Sequence, residues 1–196
     1  MNTLNLKEIK LKMDPTDKIE VEEIGKKILV MGLENSGKTS IILNILGKDN
    51  LLEYIKINPT KGYDIKSLKK GDLNFILWDL GGQDNSIKEY LDNFKNYITD
   101  TEELFFVIDI QDMNKYNKAL SYFKKIIDNL KLLNIKVEVT VFLHKNDHDL
   151  YDKFPDINKI VIDNLISRIK ELIPTNYYYE IYKTTIYTVL DKVHIY

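Results

Sequence analysis

Gly32-Leu33-Glu34-Asn35-Ser36-Gly37-Lys38-Thr39 constrains this chain more than any other stretch, because it fits the pattern G-x-x-x-x-G-K-[ST]. Apolar Ile28-Leu29-Val30-Met31 precedes it and Ile41-Ile42-Leu43-Asn44-Ile45-Leu46 follows, which predicts a buried strand, a tight loop and a helix in that order. Gly32 and Gly37 let the backbone turn so that successive N–H groups, those of Glu34, Asn35, Ser36 and Ser40 among them, can face phosphate oxygens. The start of the helix adds its positive end. In this pattern Lys38 reaches the outer phosphates and the Thr39 hydroxyl ligates Mg²⁺.

The rest of the chain supplies a sheet around that loop. Residues 63–68 and 73–78 read as strands joined by the turn Lys69-Lys70-Gly71-Asp72. Ile87, Tyr90, Leu91 and Phe94 mark one helix face. Leu104-Phe105-Phe106-Val107-Ile108 is wholly apolar, as a strand buried on both faces must be. Residues 114–133 and 160–173 read as helices, 137–143 and 177–183 as strands, and Ile186, Leu190 and Val193 suggest a short last helix. This alternation predicts an α/β domain over residues 27–196, with a six-stranded, mostly parallel sheet, one antiparallel edge strand and helices on both faces. Residues 1–26 read as an N-terminal extension whose apolar spacing does not decide between strand and helix.

Ligands in such sheets sit at the carboxyl ends of strands, where several polar clusters stand. Asp79 ends a strand and can hold Mg²⁺ opposite Thr39, while Thr60 in Asn58-Pro59-Thr60 can complete the shell and sense a γ-phosphate. Gly82 leaves room for a backbone N–H beside that phosphate, and Gln83 can orient an attacking water. In His144-Lys145-Asn146-Asp147, the Asp147 carboxylate can accept from both N1–H and the exocyclic amine of guanine, a donor pair adenine lacks on that edge. The Lys145 stem can lie along the base, and His144 belongs to the same guanine-binding cluster.

Charge and composition narrow the function. Lys and Arg number 28 against 30 Asp and Glu, interspersed, so nothing marks a nucleic-acid surface. Cysteine is absent, which excludes disulfides, thiol catalysis and Cys-based zinc sites. No apolar run approaches the roughly 20 residues of a membrane span, so a cytoplasmic protein is expected, with peripheral membrane contact an open alternative. Arg168 is the only arginine and is remote in sequence from every phosphate motif. Slow unaided hydrolysis and a partner that supplies an arginine are therefore expected.

These ordered motifs resemble those of the Ras superfamily of small GTPases, with its Ras-like P-loop fold. Gly32-Leu33, Asn58-Pro59-Thr60 and Trp78-Asp79-Leu80-Gly81-Gly82-Gln83-Asp84 look like the Arf family, and the last stretch is equally similar to the Rag family. The histidine opening His144-Lys145-Asn146-Asp147 and the segment Thr184-Thr185-Ile186-Tyr187 resemble Rag proteins. The resemblance implies backbone contacts from Thr185 and Ile186 to the guanine edge, GTP and GDP with Mg²⁺ as ligands, and an activating protein, an exchange factor and an effector as partners. Rag proteins dimerise through a second, C-terminal domain, whereas this sequence stops at Tyr196, so a dimer with another GTPase is left open. The expectation is a GTP/GDP switch. The alternatives are a non-hydrolysing GTP-binding interaction subunit and an Arf-like membrane-trafficking GTPase.

Overall fold

The computed structural model describes residues 25–48, 53–54 and 56–186. The expected last helix and nearly all of the N-terminal extension lie outside the described residues. The chain order is β1 (Lys26–Gly32), α1 (Lys38–Ile45), β2 (Tyr63–Lys70), β3 (Leu73–Leu80), α2 (Asp84–Asp92), α3 (Phe94–Ile98) and β4 (Thr101–Asp109). Then come a 3₁₀ turn (Met113–Lys115), α4 (Tyr116–Leu132), β5 (Glu138–His144), α5 (Leu150–Lys153), α6 (Lys159–Leu172) and β6 (Tyr179–Thr184). The sheet has six strands in the order β2-β3-β1-β4-β5-β6, with β2 antiparallel to β3 at one edge and the other pairs parallel.

Strand alternation sorts the core into two layers. On β1 and β4, Leu29, Met31, Leu104, Phe106 and Ile108 face the larger layer with Tyr90, Phe94, Phe123, Ile126 and Ile169. Ile28, Val30, Phe105 and Val107 face the opposite layer with Ile41 and Ile42 of α1. Both strands are covered on both faces, which is why their sequences run apolar without alternation. The expected hairpin forms with a two-residue connection, Gly71-Asp72, where Gly71 takes φ +63°.

Two differences from the sequence reading bear on the core and the rim. The single helix face from Ile87 to Phe94 is divided, because Asn93 leaves helical geometry (φ −113°, ψ 28°) and Phe94 opens α3. The Asn93 amide donates to Glu89 O at 3.1 Å, the local side-chain competition that favours asparagine at helix ends. β5 also runs one residue further than expected, so that His144 pairs with Asp109 and Thr184 as part of the sheet.

Phe106 is fully buried and packs against Phe123 and Tyr122 at ring separations of 4.8 and 5.7 Å. Phe106→Ala is predicted to lower stability by about 3–5 kcal/mol, read as a fall in the urea midpoint at unchanged slope.

Candidate functional site

The carboxyl ends of β1, β3, β4 and β5, with the residues that follow β6, bring the motifs to one rim. A cleft of about 360 Å³ there is lined by the phosphate loop, by Thr60 and Gly82-Gln83, and by Lys145, with Tyr54 and Ile57 across from them. Gly37 precedes α1 in left-handed geometry (φ +94°), and a Cβ there would lie 2.2 Å from the His144 ring. Glycine is thus required at this position twice over, by conformation and by space.

The Lys38 side chain is buried and donates to Gly32 O and Leu33 O at 3.1 and 2.9 Å. Burial pushes its ammonium down to about 8, with the carboxylates of Asp79 and Glu34 pulling the other way. Among the described residues its hydrogen-bond partners are loop carbonyls, with carboxylates acting on the charge from further off, and an anion at the loop would add a charge-assisted partner.

Beside it, Asp79 has no exposed surface. The Thr39 and Thr60 hydroxyls donate to its Oδ2 at 2.5 and 3.3 Å, and the two hydroxyls lie 3.4 Å apart. Its Oδ1 is buried without a hydrogen-bond partner among the described residues. Burial pushes this carboxyl upward, while the Thr39 hydroxyl and the Lys38 charge oppose the rise. Two threonine hydroxyls beside a carboxylate with one unpartnered oxygen form a donor set of hard oxygens suited to a small divalent cation.

Gly82 closes onto the phosphate loop. Its carbonyl accepts from Glu34 N–H at 2.9 Å, and a Cβ on it would stand 2.2 Å from Leu33 C and Glu34 N. Next to it Gly81 N–H donates to Gly62 O at 2.8 Å, and the buried Tyr90 hydroxyl donates to the same oxygen at 2.6 Å. The stretch after Thr60 is thereby tied to the stretch after Asp79. Gln83 is half-buried at the mouth of the cleft, as the residue before α2. The Tyr90 hydroxyl was not legible from its place on an apolar helix face.

The far end of the rim is built on Asp147. Its Oδ1 accepts from the Thr185 hydroxyl at 2.5 Å and its Oδ2 from the Gln111 amide at 2.8 Å. Lys145, at φ +62°, pairs with Asp109 at 2.6 Å. Asp109 and Gln111 were missed as site residues, although they are the first polar residues after the apolar run of β4, the same signal that marks Asp79. Thr185 is exposed and Ile186 half-buried.

His144 is placed differently from the sequence expectation. It is only 1% exposed, its ring lies under Gly37, and its Nδ1 is 3.0 Å from the Thr184 hydroxyl. Its position in the sheet turns the side chain beneath the phosphate loop, so it supports that loop instead of presenting a face to a base. Burial pushes its imidazole down to about 4 from 6.5, and neighbouring Lys145 acts in the same direction. The unfolded chain therefore binds a proton between pH 4 and 6.5 that the folded chain does not. Stability falls as pH drops through this window. His144→Asn is predicted to remove about 3 kcal/mol of the loss seen between pH 7 and pH 4, measured by urea unfolding of both proteins at each pH.

Comparison with known proteins follows the same lines. Residues 27–192 match the family model described as the Gtr1/RagA G protein conserved region. An ADP-ribosylation factor-like protein 3 of Chlamydomonas reinhardtii is 36% identical over 121 residues, 62% of this chain and 63% of that protein. An ADP-ribosylation factor-like protein 2 of Dictyostelium discoideum is 30% identical over 132 residues, 67% of this chain and 66% of that protein. The chain thus spans just under two thirds of the length of these curated relatives. The fold is shared with the Arl6 BBS3 small GTPase of Trypanosoma brucei, solved with the nucleotide analogue GppNp, at TM-score 0.60 and 20% identity over 82% of this chain and 87% of that one. With the family model reaching across the whole sheet and its rim, the chain belongs to the Gtr1/RagA G-protein family.

Proposed function

We propose that this chain is a GTP-binding switch that holds guanine nucleotide with Mg²⁺ and hydrolyses GTP slowly on its own. The observation that carries the reading is the meeting of Thr39, Thr60 and the half-satisfied Asp79 beside buried Lys38. In this reading Gly32 turns the loop so that the amides of Asn35, Gly37 and Ser40 cradle phosphate, while Glu34 and Ser36 N–H leave Gly82 O and Leu33 O to join them and Lys38 leaves its carbonyl partners for phosphate oxygens. Thr39, Thr60 and Asp79 would hold Mg²⁺, which supplies charge neutralisation on the phosphates. Gln83 positions water for in-line attack, so that a bond forms from water oxygen to the γ-phosphorus as the bond to the β–γ bridging oxygen breaks. Asp147 reads the base, with Lys145 along its plane and the backbone of Thr185 and Ile186 at its edge.

Gly81 N–H on Gly62 O joins the stretch after Asp79 to the stretch after Thr60, and Gly82 O ties the former to the phosphate loop, so gain or loss of a γ-phosphate would move the two stretches together and alter partner affinity. An activating protein, an exchange factor and an effector are the partners such a switch requires, and a second GTPase is a further candidate. The location fits cytoplasm with peripheral membrane contact. No helix among the described residues is long and apolar enough to cross a membrane.

Arg168 does not line the cleft; it sits on α6 and donates to Asn117 of α4 at 2.7 Å. This favours an arginine from a partner, and it keeps a second reading alive in which GTP is chiefly a structural ligand. In single turnover of preloaded GTP with Mg²⁺, Gln83→Leu is predicted to slow hydrolysis by about tenfold or more, and Arg168→Ala to leave it unchanged within about twofold. Absence of turnover in the parent chain would select the structural-ligand reading.

A further inference from the structure

We propose that Gln111 is a positioning residue that sets the Asp147 carboxylate for guanine and thereby fixes the base specificity of the site. The inference rests on Asp147 being the base reader. A carboxylate offers about four acceptor positions, two on each oxygen. Two are taken here on opposite oxygens, by the Thr185 hydroxyl at 2.5 Å and the Gln111 amide at 2.8 Å. One position on each oxygen is left, and guanine brings two adjacent donors, N1–H and the exocyclic amine. Without Gln111 the carboxylate can rotate about its last torsion and lose that match.

Gln111 is itself fixed at both ends. Its Nε2 donates to Lys145 O at 3.0 Å as well as to Asp147, so both N–H bonds of the amide are used. Each partner can only accept, which leaves no choice of amide orientation. The Gln111 backbone N–H donates to Asp109 Oδ1 at 2.8 Å, and the other oxygen of Asp109 accepts from Lys145 Nζ at 2.6 Å. The end of β4 is thus locked to both Lys145 and Asp147, the two residues proposed to meet the base. Gln111 does not line the phosphate end of the cleft. Its effect falls on the base and leaves the reacting phosphate alone.

The test uses the full chain and dissociation of GDP, IDP and ADP, each with Mg²⁺, from the parent protein, Gln111→Met and Gln111→Glu. IDP lacks the exocyclic amine, so the GDP-to-IDP preference reports carboxylate alignment. The parent is expected to prefer GDP to IDP by about tenfold or more. Gln111→Met keeps the side-chain length and removes the donor, and is expected to cut that preference by about fivefold. Gln111→Glu, which opposes the carboxylate with like charge, is expected to cut it further. Off-rates are read only from molecules that hold nucleotide, so incomplete folding does not hide the result. An unchanged GDP-to-IDP ratio, even with weaker binding of both, would overturn the role of Gln111 while leaving the guanine reading intact. Lack of preference for GDP over ADP in the parent would overturn the guanine reading, and the role of Gln111 with it.

Discussion

The buried charge of Lys38 is the constraint on which the rim depends. An ammonium enclosed by protein costs free energy unless oxygen atoms surround it, and here the loop turns its own carbonyls of Gly32 and Leu33 toward the charge. That turn requires left-handed backbone at Gly37 and a flat neighbour beneath it, which the His144 ring provides. Asp79 balances the charge in part from the end of β3, yet keeps one oxygen without a partner among the described residues. The nucleotide end of the fold is thus arranged around a local deficit that a phosphate and a divalent cation would fill.

The sheet connects this local arrangement to the segments beside it. β1 and β3 lie side by side in parallel, so the phosphate loop and the stretch after Asp79 emerge together. β2 returns antiparallel to β3, which carries Gly62 back to Gly81. The Tyr90 hydroxyl binds the same Gly62 carbonyl and is rooted in the core below. The phosphate loop is thus connected to α2 through Gly82, Gly81, Gly62 and the Tyr90 hydroxyl. At the far end of the rim Asp109, Gln111, Lys145, Asp147 and Thr185 hold one another.

Much of this was legible in the sequence, for specific reasons. The phosphate loop is a fixed spacing between two apolar runs, and the strands at 104–108 and 137–143 are apolar because both faces are covered. The break at Asn93 was not legible, since Ile87 and Phe94 keep helical spacing across it and only the backbone angles reveal two helices. His144 was misplaced because one residue of extra strand changes what its side chain faces. Gln111 was passed over because a single glutamine after a strand carries no motif, and its importance lies in partners 34 and 36 residues away.

The most direct measurement of the central claim is thermal unfolding of the chain with Mg²⁺ and GTP, compared with Mg²⁺ and ATP and with GTP in excess EDTA. If the rim is a Mg²⁺-dependent guanine nucleotide site, GTP at about 100 times its dissociation constant should raise Tm by roughly 5–10 °C. ATP at the same concentration should raise it little, and EDTA should remove most of the GTP effect. Equal stabilisation by ATP and GTP, or none by either, would contradict it.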